Sequence, residues 1–204
     1  EKQFAADMKV MFTPTMLLLN EQGDVVIRLN GYYPPHKFGA VIDYVGQHKE
    51  SEKTFSEYWA EQSPVAASGR LHQDDSYLQP PYRLAGRNSG KPLLVLFEQE
   101  TCSACDELHG DVFKRKESAE LLQQFDVLLL DIRSDMPLED TQGRKTTAAD
   151  WSRDLGIQYA PSMVMFDQQG SEVFRTEAYL KSFHVQSAMD YVLSGTYLEE
   201  PSFQ

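Results

Sequence analysis

Two residues of this chain could carry redox chemistry, Cys102 and Cys105, and they are its only cysteines. They follow a short apolar run, Leu93 to Phe97, which reads as a buried strand of a parallel sheet. A strand, a short loop and then Cys-x-x-Cys opening a helix has a mechanism. Helix N-terminal amides and the positive end of the macrodipole stabilise a thiolate there. Cys102 is expected to be exposed and to attack. Cys105, one turn on, is expected close enough to close a disulfide. A close pair of this kind is a redox couple or half of a metal site, not a disulfide framework.

Other candidate groups lie nearby. His109 sits one turn after Cys105, and Cys102, Cys105 and His109 could begin a zinc site, but a tetrahedral site needs a fourth ligand. His36, His48, His72 and His184 show no ligand spacing, so no metal is expected and His109 reads as a helix-surface residue. Glu98 is open to two readings, a proton acceptor for Cys105 or a solvated strand end. Glu100, Asp106 and Glu107 crowd the pair with negative charge, which opposes a strongly lowered thiolate pKa and favours a reducing couple. Tyr32, Tyr33, Tyr179 and Tyr191 read as core and interface aromatics, and no nucleophile elbow is present.

The elements that must position the pair follow from pattern. Leu93–Phe97 is a strand, and Ser103 to Gln124 a helix with a break near Lys114 to Glu117. Val127 to Ile132 is a second apolar strand, and Ser134 to Lys145 a polar loop. Thr146 or Thr147 caps a short helix ending at Gly156. A strand after Pro161, a hairpin through Asp167-Gln168-Gln169-Gly170 and a helix from Ser182 to Leu193 complete the order. A β-α-β unit followed by α-β-β-α predicts an α/β fold with a mixed sheet flanked by helices.

The end of that order also stands at the front of the chain. Phe12-Thr13-Pro14-Thr15 aligns with Tyr159-Ala160-Pro161-Ser162, and the alignment runs on without a gap. It matches the turn Asn20 to Gly23 with Asp167 to Gly170, Tyr32 with Tyr179, and Asp43-Tyr44-Val45 with Asp190-Tyr191-Val192. Upstream, Phe4, Asp7, Met8 and Val10 fall opposite Trp151, Asp154, Leu155 and Ile157. This predicts an internal duplication. Residues 1 to 11 then read as a helix end, Met16–Leu19 and Asp24–Leu29 as a hairpin, and Phe38, Val41, Ile42 and Val45 as one apolar helix face. The domain reading is a partial repeat at 1–48, a connector at 49–90, a complete domain at 91–197 and a tail at 198–204. A hairpin and a helix alone bury too little apolar surface to offset their ordering entropy. The half-repeat must therefore pack on this chain, pair with another copy, or descend from a longer parent.

Composition bounds the rest. The chain has 204 residues, 41% of them hydrophobic, and a formal net charge of -12. The acidity argues against nucleic acid and anionic membrane as partners. No apolar run is long enough to cross a bilayer. The first residue is Glu1, so the chain reads as trimmed or excised from something longer.

The order of elements, with Cys-x-x-Cys after the first strand and an isolated proline opening the third, resembles the thioredoxin fold. Residues 91 to about 197 carry it fully and 1–48 as a half. More narrowly, Phe97-Glu98-Gln99-x-x-Cys-x-x-Cys, Asp131-Ile132 and Gly156-Ile157-x-x-x-Pro161-Ser162 look like SoxW-type periplasmic thioredoxins. The resemblance implies Cys102 as nucleophile and Cys105 as resolving thiol. It implies Pro161 as a cis-proline, with Ala160 and Thr101 beside an extended substrate segment. The same Pro-Ser/Thr context at Pro14 favours cis over an ordinary strand-start proline. The chain departs from the family in Thr101-Cys-Ser103-Ala104-Cys, where Trp-Cys-Gly-Pro-Cys is usual. The usual buried aspartate would fall at Leu96. The implied function is thiol–disulfide exchange, read here as reduction of protein or small-thiol disulfides through a mixed disulfide at Cys102, with no cofactor and an unspecified electron donor. A thioredoxin-like peptide-binding or assembly module without turnover is the alternative. The resemblance also implies a periplasmic or otherwise exported setting.

Overall fold

The computed structural model describes Val10 and residues 14–31, 33, 35–62, 67–177 and 181–200. The helix end expected before residue 10 and the Tyr32–Tyr179 match lie outside these. The chain divides into two compact units, Glu1–Ala67 and Ser68–Gln204.

In the first unit, strands β1 (Thr15–Leu19) and β2 (Val25–Asn30) form an antiparallel hairpin. Its turn is set by Asn20, whose Oδ1 accepts from the amides of Gln22 and Asp24 at 3.1 and 2.8 Å. Helix α1 (Pro35–Gly46) opens on proline, where no helical amide is needed, and α2 (Phe55–Gln62) follows. Ile27, Leu29, Val41, Tyr44 and Tyr58 make the core. The buried stripe of α1 runs through Phe38, Val41, Tyr44 and Val45. Ile42 falls outside that arc and is 50% exposed, which corrects the expected face.

The second unit is built on a four-stranded sheet of order β5-β4-β8-β9. These are β4 (Leu93–Glu98), β5 (Asp126–Asp131), β8 (Ser162–Phe166) and β9 (Glu172–Thr176). β4 is parallel to β5 and antiparallel to β8, which is antiparallel to β9. All six residues of β4 are buried, because helices cover both faces. Alternation sorts them: Leu94 and Leu96 pack with Leu108, Val112, Val185 and Met189. Leu93, Val95 and Phe97 pack with Trp151, Val164 and Phe166 on the other face. The β8–β9 turn repeats that of the first unit. Asp167 Oδ1 accepts from Gln169 and Ser171 amides at 2.9 and 2.8 Å, and Gly170, like Gly23, holds a positive φ. Each hairpin also carries a register shift at the end of its first strand.

The helix expected over 103–124 is three pieces. They are α3 (Ser103–Glu107), a π turn (Leu108–Val112) and α4 (Lys116–Leu122), parted where a break was expected. The π turn adds one residue to the helical ring, closed by the Phe113 amide on the Leu108 carbonyl at 2.9 Å, so Val112 and Phe113 are both buried. Helices α5 (Ala148–Asp154) and α6 (Ser182–Leu193) fall where the pattern put them, α5 capped by Thr147.

The segment 134–145 corrects the expectation of a polar loop. It holds β6 (Pro137–Glu139) and β7 begins at its end (Lys145–Thr147), an antiparallel hairpin. Asp140 shapes the turn: its Oδ1 accepts from the amides of Gln142 and Arg144, each at 2.9 Å. A short strand β3 (Tyr82–Arg83) adds to β6 in parallel. The stretch 49–90, expected as a connector, is shared between the units. Residues up to 62 carry α2 of the first, and 68–90 build into the second. Tyr77 lies in its core, and the Leu78 amide donates to Val127 O at 2.8 Å along the outer side of β5. Among the described residues no helix is long and apolar enough to cross a membrane.

Candidate functional site

β4 delivers the chain to the cysteine loop and α3 takes it away. Cys102 is the residue capping α3: its Sγ accepts the Cys105 amide at 3.1 Å, satisfying a donor that the first helical turn leaves open. Cys102 and Cys105 are joined as a disulfide. Cys102 is 6% exposed and Cys105 1%. The expectation of an exposed Cys102 is therefore corrected, because its sulfur turns in toward the helix it caps.

The remaining expected residues gather around this loop to different degrees. Thr101 is exposed, and its carbonyl accepts from Gln99 Nε2 at 3.3 Å. Ala160 is half-buried, Pro161 buried, and the bond between them is cis. Ser162, which follows, pairs with Phe97 and donates its hydroxyl to the Tyr159 carbonyl at 2.7 Å. Pro161 thus precedes β8 at the end of the sheet where β4 gives way to the cysteine loop.

Glu98 is no solvated strand end. It continues the face of Leu94 and Leu96 and is 0% exposed. Its Oε1 meets His109 Nε2 at 2.7 Å, while Oε2 is buried with no hydrogen-bond partner among the described residues. His109 is accordingly not a helix-surface residue; only 10% of its side chain is exposed. Cys105, Leu108, His109 and Val112 form one inward stripe, so the cysteine and the histidine share a face one turn apart.

Sequence reasoning missed the groups that surround His109. The ring of His72 stacks on it, centroids 4.7 Å apart and planes within 16°. His72 Nε2 lies 2.6 Å from Asp106 Oδ1. Asp106 also accepts from the Ser68 amide at 2.8 Å and the Ser68 hydroxyl at 2.5 Å. Burial would raise the Asp106 carboxyl, but the hydrogen bonds from Ser68 and His72 outweigh it and hold the group below its ordinary value. The Tyr77 hydroxyl is pushed up by burial first, then by the charges of Asp74 and Glu98. Beside these rings an open groove of about 860 Å³ runs along α4 and β5, lined by His72, Tyr77, His109, Phe113 and Lys114 among others. Among the described residues no cluster of His, Cys, Asp and Glu is arranged to hold a metal ion.

The thioredoxin-like domain family matches this chain over residues 1–46 and 85–193. The chain belongs to that family. Among solved structures, a thioredoxin-fold protein from Helicobacter pylori is similar at a TM-score of 0.50 and 17% identity, over 57% of this chain and 80% of that one. A thioredoxin from Thermus thermophilus gives 0.43 and 18%, over 54% and 81%. A disulphide isomerase from Xylella fastidiosa gives 0.39 and 17%, over 52% and 80%. A comparison with curated proteins finds no match. The Helicobacter likeness is one of fold alone. In this thioredoxin-like protein the buried Glu98–His109 pair flanks the cysteine loop along the chain, with Glu98 at the end of β4.

Proposed function

We propose that this thioredoxin-like protein is a thiol–disulfide oxidoreductase that reduces disulfides of proteins or small thiols. The single observation that carries the reading is the Cys102–Cys105 disulfide capping a helix at the end of β4. The Cys102 thiolate attacks one sulfur of the substrate disulfide, the second sulfur leaves as a thiolate, and a mixed disulfide forms. Cys105 then attacks Cys102 Sγ, the second substrate thiolate leaves, and the Cys102–Cys105 bond closes. Two electrons have passed to the substrate, and a dithiol donor must return them. Ala160, Pro161 and Thr101 receive the substrate segment by strand addition beside the sulfurs. Glu98 serves as proton acceptor.

The test is single-turnover reduction of insulin or of 5,5′-dithiobis(2-nitrobenzoate). Cys102→Ser should abolish it, and Cys105→Ser should accumulate the mixed disulfide, seen as an adduct by mass spectrometry. Turnover surviving in Cys102→Ser would overturn the assignment. A second reading, a peptide-binding module without turnover, is favoured by the 6% exposure of Cys102. Wild-type protein that binds extended peptides yet reduces neither substrate would establish it instead.

The duplication is proposed in the same terms. The family match at both ends and the shared Asx turn, positive-φ glycine and register shift of the two hairpins support a partial repeat at 1–48 and a complete domain at 91–197. Pairing of two copies through the half-repeat and a periplasmic or exported setting belong to this reading. Sedimentation and fractionation test them.

A further inference from the structure

Resting on the oxidoreductase reading, we propose that His109 is the positioning residue through which the buried Glu98 exchanges protons with solvent. The ring of His72, held by Asp106, fixes its orientation.

The inference begins with an imbalance. Glu98 is sealed from water, yet one of its oxygens has a single partner, His109, and the other has none among the described residues. A carboxyl group so placed takes or gives a proton only through a neighbour. Glu98 does not line the groove, whereas His109 does. His109 therefore meets the buried carboxyl at Nε2 and also lines the groove.

The ring is held from several sides. His72 stacks on one face, Phe113 meets it edge-on at 5.2 Å, and Tyr77 lies 6.4 Å away. Two stacked imidazolium rings would repel, but each ring has its own carboxylate, Glu98 for His109 and Asp106 for His72. The titratable groups facing His109 are Glu98 from β4, His72, Asp74 and Tyr77 from the 68–78 segment, and Asp106 through His72. Asp74 is held below its ordinary value by the Ser76 hydrogen bonds, with His109 a further cause. At the groove, Arg70 and Lys114 supply positive charge.

The step needing this path is resolution. Cys105 lies one turn before His109 on the same inward stripe, whose Leu108 and Val112 pack with Leu94 and Leu96 on the β4 face that carries Glu98. Its thiol gives a proton to the vacant Glu98 oxygen, and the thiolate attacks Cys102 Sγ. The Cys102–substrate bond breaks and the substrate leaves as a thiolate. The carboxyl then turns its O–H to the Nε2 of His109 in its Nδ1–H tautomer, and as that proton crosses the contact the ring gives its Nδ1 proton to groove water, from which the departing thiolate is protonated. No oxidant or reductant beyond the dithiol and the substrate disulfide enters.

His109→Gln tests this, because its amide still donates to Glu98 but cannot carry a proton. With 5,5′-dithiobis(2-nitrobenzoate), the first thiol release reports attack by Cys102 and the second reports resolution. We expect the first release within about twofold of wild type and the second slowed at least about tenfold, with added imidazole restoring it. An unchanged second release, or equal slowing of both, overturns the relay while leaving the oxidoreductase reading intact. No first release in wild type overturns the oxidoreductase reading. A further readout needs no variant and no turnover: the ring-nitrogen resonances of His109 at pH 7 should change between disulfide and dithiol protein. Identical resonances in the two states overturn the relay.

Discussion

Asp106 shows how a side chain read as crowding negative charge does something else once folded. It is spent on Ser68 and His72 rather than on the sulfurs. Its carboxyl is held below the ordinary 3.8, so its contacts favour folding above that value. That contribution is lost as pH falls through the lower folded-state value. Wild-type protein should therefore lose stability on acidification below about pH 4, measured by urea midpoints, more steeply than Asp106→Asn. Equal slopes would show that the group contributes nothing. The cysteine pair was readable from spacing alone, but this neighbourhood was not. Glu98 and His109 meet only if the last residue of a strand and the π turn of a helix are in phase. One signal was there, since Cys105, Leu108, His109 and Val112 share a stripe on which a surface residue has no place. His72 came from a segment read as connector, whose Leu71, Tyr77 and Leu78 pack on the core only once folded.

Among the elements, those with a strong period were legible. Leu93–Phe97 is buried on both faces, and the last helix spans Ser182–Leu193 as its apolar spacing predicts. The hairpin of β6 and β7 was not, because strands of three residues have no period to read, and β3 reaches β6 from more than fifty positions away. That hairpin has a measurable anchor. A Cβ on Gly170 would stand 2.8 Å from the Thr141 carbonyl oxygen, at a φ of +84°. Gly170→Ala should cost more than about 1 kcal/mol in urea unfolding. Gly23→Ala, with φ +89° but nothing within 4 Å of its Cβ, should cost less. Equal losses would mean that strain in the turn, not the Thr141 contact, sets the effect.

For the molecule taken together, charge is the property that acts without contact. A net charge of -12 repels anionic substrates over roughly 30 Å at ~0.01 M salt and only ~8 Å at 0.15 M, whatever the placement of the two units. A cationic disulfide peptide should thus be reduced about tenfold faster than its anionic counterpart at ~0.01 M salt, by kcat/KM, and the two should converge near ~1 M. A ratio indifferent to salt would place selectivity in local contacts instead. The bond from the Leu78 amide to Val127 has a different kind of consequence. It occupies a backbone acceptor on the flank of β5, a strand whose centre is Val127-Leu128-Leu129-Leu130. Peeling residues 76–79 away would leave that flank as a template on which further chains could stack. A few residues of irregular chain, which make no part of the sheet themselves, thus cover an edge otherwise open to a further strand.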